Sequence, residues 1–184
     1  ALSHGAAPAG YAAGTFSCVK NGGAPVVGAS ITLALGDSAV CTINNNDIAP
    51  KLTLNKIVIN DNGGTALESA WTLTATGNPA TDPATLSGPG AAGNTDVVSG
   101  ALFDAGTYDL SESAGPAGYT ASAWSCTGGQ TGTEAKVTLA LGDDITCTIT
   151  NNDDTAHLQL IKTVTNNNGG TALASAWTLT ADGT

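Results

Sequence analysis

The chain is 184 residues long, with a formal net charge of −10, 11% charged residues, 4% aromatic residues, no methionine and no arginine. So few cations cannot neutralise a row of phosphates, which excludes a nucleic-acid binder and argues against an anionic membrane surface as partner. No apolar run approaches the length of a membrane-spanning helix, and the excess of Gly, Ala, Thr, Asn and Ser fits secreted β-rich surface proteins better than cytosolic enzymes.

In chain order, residues 1–49 read as the back half of a unit whose whole copy occupies residues 50–153. An offset of 106 carries Lys56 onto Lys162, Trp71 onto Trp177, and CTINNND at 41–47 onto CTITNND at 147–153. An offset of 108 carries APAGY at 7–11 onto GPAGY at 115–119, so an insertion lies between Cys18 and Cys41. A unit of this length recurring in one chain signals a tandem array. Within the whole copy, alternation with a period of two marks strands at 51–59 and 69–76 around the turn Asn60-Asp61-Asn62-Gly63-Gly64. Residues 77–96 form a Pro/Gly-rich loop with room for one short strand, followed by strands at 97–102, 107–112, 119–126, 135–141 and 145–151. The turn Gly142-Asp143-Asp144 is expected to join the last two as a tight hairpin. Residues 151–156 form a short polar linker, and 154–184 repeat the front of the unit. Short strands without a sustained helical period predict an all-β Greek-key sandwich.

The four cysteines pair by position within repeats, Cys18 with Cys41 and Cys126 with Cys147. Neither CxxC spacing nor nearby histidine accompanies them, so two disulfides in an oxidising compartment are expected rather than a metal site. Trp124, two residues before Cys126, should pack on the bridge from the same face, with Phe16 at the matching place in the first half-repeat. His4 and His157 do not recur, and no nucleophile elbow, phosphate loop or zinc-protease motif is present, so a turnover enzyme is not expected. The turn 60–63 superficially resembles the start of a calcium loop and should lie near Asp153 and Asp154. The next copy reads Asn166-Asn167-Asn168 and lacks the carboxylate, so a plain turn is the competing reading and no cofactor is expected.

Strand parity is more specific. Leu52, Leu54, Lys56 and Val58 share one face, as do Leu158, Leu160, Lys162 and Val164. Tyr108, Leu110 and Glu112 share a face, as do Cys147, Ile149 and Asn151, and Cys41, Ile43 and Asn45. A lysine, a glutamate and an asparagine therefore point into one core, where lone charges are costly and must find partners.

The patterns LxLxK, YxLxE followed by GPxGY, and a last strand ending in Asn resemble the B-type repeats of Gram-positive collagen adhesins and pilin subunits. WSCTGG and GDDITCTITNND look like a disulfide-bearing version. The resemblance implies a prealbumin-like (transthyretin-like) sandwich. It also implies an intramolecular isopeptide bond, with Lys56 as nucleophile, Asn151 as electrophile and Glu112 as proton shuttle. The alternative is a buried Lys56–Glu112 ion pair hydrogen-bonded to Asn151, with no covalent link. In the first half-repeat His4 stands where Glu112 would be.

These readings describe a structural repeat of an extracellular stalk or filament on, or shed by, a bacterial cell, contacting neighbouring repeats or identical subunits head to tail. The competing function is an adhesin module that grips a host or matrix ligand through the 77–96 loop. Completion of half-domains between neighbouring chains is disfavoured, because residues 154–184 and 1–49 together lack the region 77–108.

Overall fold

A computed structural model describes residues 1–77, 85–91, 97–129 and 135–183. They fall into two compact units, residues 1–153 and the stretch from Asp154 onward.

The first unit begins with β1 (Tyr11–Ala12), β2 (Ser17–Lys20), β3 (Val26–Val27), β4 (Ala39–Thr42) and β5 (Asn46–Asp47). The strands β6 (Lys51–Ile59), β7 (Thr72–Gly77), β8 (Thr85–Pro89), β9 (Val97–Val98) and β10 (Gly106–Glu112) follow. The last four are β11 (Tyr119–Ala121), β12 (Ser125–Cys126), β13 (Lys136–Leu139) and β14 (Asp144–Asp153). A 3-10 turn, Glu68–Ala70, precedes β7.

One sheet of the sandwich runs β11-β14-β6-β9, with β12 also on β14; the other runs β13-β10-β7-β8. The period-two pattern turns Leu52 and Leu54, Leu73 and Ala75, Tyr108 and Leu110, Val137 and Leu139, and Ile145, Cys147 and Ile149 into a single buried core. Phe103 stacks on Tyr108 with ring centroids 4.6 Å apart, and the Tyr108 hydroxyl donates to the Asp104 carbonyl at 2.8 Å. The pair thereby fills the core while leaving the phenol oxygen satisfied.

Strand β14 lies parallel to β6, in register from Asp144 opposite Lys51 to Asn152 opposite Ile59. All other strand pairs among the described residues are antiparallel. The first and last strands of the sandwich are thus neighbours running the same way, and the chain enters and leaves at opposite ends of that ladder.

The expected hairpin at 142–144 is not one. Strand β13 pairs with β10 and β14 pairs with β6, so the turn crosses from one sheet to the other. The turn itself is tight: Ala140 N donates to Asp143 Oδ2 at 2.7 Å, Asp143 N donates to Ala140 O at 3.2 Å, and Gly142 takes φ +79°. Turn chemistry specifies reversal, not pairing. The long register with β6 offers β14 more ladder bonds than the short β13 could.

The expected strand 119–126 is broken into β11 and β12 by a bulge. From Ala121 to Ser125 the chain advances against only Asn151 to Thr148 on β14, one residue fewer. Ser122 bridges the gap, its N–H donating to Thr150 O and its Oγ accepting from Thr150 N. Trp124 beside this bulge is buried in the core with Cys126 and Cys147. The short strand allowed for in 77–96 is β8; residues 78–84 and 92–96 of that loop lie outside the described residues.

Residues 1–49 form two small sheets, β1-β5 and β3-β2-β4. Their pairings copy those of the sandwich: Tyr11 opposes Asp47 as Tyr119 opposes Asp153, and Cys18 opposes Cys41 as Cys126 opposes Cys147. The counterpart of β14 is split into β4 and β5, because among the described residues no strand equivalent to β6 lies beside it.

The second unit, described to residue 183, contains a 3-10 turn at Ala174–Ala176 and no strand. A strand needs a partner to carry its ladder, and this stretch repeats the first strand of the fold without the last.

Candidate functional site

Alternation along β6 carries Lys56 into the core one step beyond Leu54, where its side chain is 0% exposed. From the facing sheet, β10 ends with Glu112, which follows Tyr108 and Leu110 on the inward face. From the neighbouring strand, Asn151 follows Cys147 and Ile149 inward and is 2% exposed. The three residues singled out by parity therefore meet. Lys56 Nζ donates to Glu112 Oε2 at 2.7 Å, and Asn151 Nδ2 donates to Glu112 Oε1 at 3.1 Å. Both carboxylate oxygens are engaged, one by each partner. Asn151 Oδ1 is buried and, among the described residues, accepts no hydrogen bond.

Burial pushes the Lys56 amine below its ordinary range, and the hydrogen bond and charge of Glu112 only partly oppose this. The lid over the lysine is backbone: Gly90 N donates to Trp71 O at 2.8 Å, and a Cβ at Gly90 would lie 2.6 Å from Glu68 O and 2.9 Å from Lys56 Cβ. Only glycine lets this crossing approach so closely. The Trp71 ring forms another wall, its centroid 4.6 Å from Lys56 Nζ. Trp71 in turn meets Tyr119 edge-on at 5.5 Å, and a Cβ on Gly115 would fall on its indole nitrogen. The GPxGY segment thus backs the tryptophan that faces the lysine.

Where β14 ends, Asp153 accepts from the backbone N–H groups of Asp61 and Asn62 at 2.9 Å and of Gly64 at 2.6 Å. Burial works against its charge, but these donors outweigh it and hold the carboxyl below the usual carboxylate range. Tyr119 adds a clasp, donating to Asn60 Oδ1 at 2.5 Å and accepting from Ala66 N at 2.9 Å. The turn does lie beside Asp153, as expected. Both oxygens of that carboxylate accept from N–H groups of the turn, which is what the plain-turn reading requires. Among the described residues no three His, Cys, Asp or Glu side chains converge on a metal position.

Disulfides join Cys18 to Cys41 and Cys126 to Cys147. Each links directly opposed residues on adjacent antiparallel strands. His4 meets Phe16 edge-on at 6.2 Å. Sequence reasoning missed the contact of Trp71 with Lys56 and the role of Asp153. Both were signalled by recurrence, since Trp71 and Lys56 return together at an offset of 106, and Asp153 and Tyr119 return at offsets of 106 and 108.

Residues 1–43, 47–149 and 153–184 match the family model described as the prealbumin-like fold domain, and the chain belongs to that family. No curated protein matches it. Among solved structures it is similar to the major pilin protein (T3.2) from Streptococcus pyogenes, at 16% identity and a TM-score of 0.47. That match covers 83% of this chain, which spans 65% of the pilin.

Proposed function

We propose that this chain is part of an extracellular bacterial stalk or filament built from tandem prealbumin-like domains, with neighbouring repeats or identical subunits in contact head to tail. Residues 1–49 close one domain, 50–153 form a whole one and 154–184 open the next. The offset of 106 and the three matched stretches support this division. Each back half carries a disulfide, and in the whole domain Lys56 and Asn151 condense to an isopeptide.

The observation that carries this reading is the inward Lys56–Glu112–Asn151 cluster joining the first strand to the last. Glu112 Oε2, 2.7 Å from Nζ, is placed to take the proton that makes Lys56 a neutral nucleophile. Nζ then attacks Cγ of Asn151. Exchange of the Asn151 amide ends brings Oδ1 to the protonated Glu112, which polarises the carbonyl and satisfies the orphaned oxygen. The new bond is Nζ–Cγ, and the bond broken is Cγ–Nδ2. Glu112 relays a second proton from Nζ to the leaving nitrogen, which departs as ammonia, and the proton first taken from the ammonium leaves with it as ammonium, so the carboxylate is regenerated. The dry setting excludes water that would compete for Cγ.

The folded chain is tested by intact mass after reduction of its disulfides. The expected result is a deficit of one ammonia in the wild type that is absent from Glu112→Ala and Lys56→Ala. A wild-type chain of unreduced mass, still folded, would refute the cross-link.

A further inference from the structure

The contact between Lys56 and Trp71 is not demanded by the Lys–Glu–Asn chemistry, yet the chain makes it twice. Lys162 Nζ lies 4.7 Å from the Trp177 ring centroid, against 4.6 Å for Lys56 and Trp71. The two settings otherwise differ. The Lys56 side chain is fully buried against Glu112, whereas Lys162 is exposed, Trp177 is 44% exposed, and no ion pair to Lys162 occurs among the described residues.

What the two share is a frame of sequence-local bonds. Asn60 Nδ2 donates to Ala66 O at 3.1 Å, and Asn166 Nδ2 donates to Ala172 O at 2.9 Å. A 3-10 turn follows in each case, closed by Trp71 N to Glu68 O at 3.2 Å and by Trp177 N to Ala174 O at 3.3 Å. The frame brings the ring back over the lysine without help from a last strand or from a glutamate. In the complete domain the same ring becomes locked, being 2% exposed and packed against Tyr119 and Gly115.

We propose that Trp71 is a positioning residue for the Lys56–Asn151 condensation: its ring captures the Lys56 ammonium before β14 docks and holds Nζ where Glu112 and Asn151 then close on it. The proposal rests on the cross-link reading above. Capture by the ring removes the rotamer freedom of a long side chain ahead of the reaction, as proximity catalysis requires. It also ties the step to pH. A π-face favours the charged amine, so losing the ring lets the proton leave at lower pH while the nucleophile loses its place.

The test follows ammonia loss by intact mass after the unreacted, denatured 184-residue chain is diluted into refolding buffer at a series of pH values. Trp71→Leu is expected to slow the reaction roughly 3- to 30-fold and to move the rising limb of the pH–rate profile to lower pH. Trp71→Phe should fall between. Trp124→Phe, a core change away from the lysine, should leave the pH profile in place. A Trp71→Leu chain that forms its Cys126–Cys147 bridge yet reacts at the wild-type rate, with the wild-type profile, overturns the proposal alone. A wild type that never loses ammonia overturns both this proposal and the cross-link. If Trp71→Leu does not fold, NMR of the wild type decides. The Lys162 ε-methylene protons should be shifted upfield by the Trp177 ring, and that shift should vanish in Trp177→Leu. Unshifted protons mean that the frame does not capture the lysine, and the proposal fails.

Discussion

Lys56 occupies a position that the β6 pattern reserves for leucine, and its charge is tolerated there because Glu112 and the Trp71 ring both face it. A buried ion pair of this kind is weak evidence for stability by itself, since desolvation of two charges offsets most of their attraction. Its removal by halves is another matter. In a chain without the cross-link, Glu112→Ala leaves the ammonium buried without its carboxylate and should cost about 3–5 kcal/mol in urea unfolding. Glu112→Gln keeps a hydrogen-bonding group of the same shape but cannot take the proton. It should therefore block ammonia loss while costing less stability than Glu112→Ala. Equal destabilisation by the two would mean that Glu112 acts through its charge alone.

At the scale of elements, the β6–β14 ladder is closed at its far end by the turn 60–64, wrapped around Asp153. A Cβ on Gly64 would collide with the Tyr119 hydroxyl and lie 2.8 Å from Asp153 Oδ2, so Gly64→Ala should destabilise the domain by about 1–3 kcal/mol. The loss should appear as a lowered melting temperature. The Asp153 carboxyl is held below its unfolded value, so the unfolded chain binds the extra proton first. Its contribution is present at neutral pH and is lost as pH falls below about 4 toward the folded value. Denaturant midpoints measured between neutral pH and acid should fall less for Asp153→Asn than for the wild type. Parallel slopes would show that the turn is held by something else. The bulge between β11 and β12 lies on the same ladder at the other edge, taking up one extra residue so that Tyr119 opposes Asp153 while Cys126 still opposes Cys147.

For the whole molecule, the direction of the strands governs response to force. Tension entering at Lys51 and leaving at Asp153 shears a parallel ladder, loading its bonds together rather than one at a time. With Lys56 joined to Asn151, the load passes from 51–56 directly to 151–153, and the sandwich between carries none. In single-molecule stretching, the wild-type repeat 50–153 should show no unfolding step. Lys56→Ala should release on the order of 250 Å with its disulfide closed, estimated from the reach of an extended chain. A wild-type step of that size would exclude a covalent load path. On that load path the Cys126–Cys147 disulfide would carry no tension, so its contribution is expected to be to stability. Opening Cys126–Cys147 in the Lys56→Ala background should cost about 3 kcal/mol by loop-closure entropy, read as a lower midpoint under reducing conditions.

Much of the site was legible before folding because parity needs only local alternation. Lys56 and Asn151 stand in rows of apolar residues with a strict period of two, and Glu112 completes such a row, so each points inward wherever its strand is placed. The cysteine pairs were legible because the repeat supplies two copies of one spacing. The partners of each strand were not legible. Gly142-Asp143 reverses the chain equally well in a hairpin or between sheets, and only the competing register with β6 made it the latter. The same holds for the latch. Asp153 and the turn 60–64 are far apart in sequence, and neither pattern names the other.

The sequence by itself determined the alternation, the all-β character, the paired cysteines and which three polar side chains face the core. Those properties depend on a residue and its near neighbours. Tertiary structure alone decided that β6 and β14 run parallel, that Glu112 stands between Lys56 and Asn151, and that Trp71 covers the lysine. Each of these depends on which distant strands win each other's hydrogen bonds, and that competition is settled only when the whole domain closes on one core.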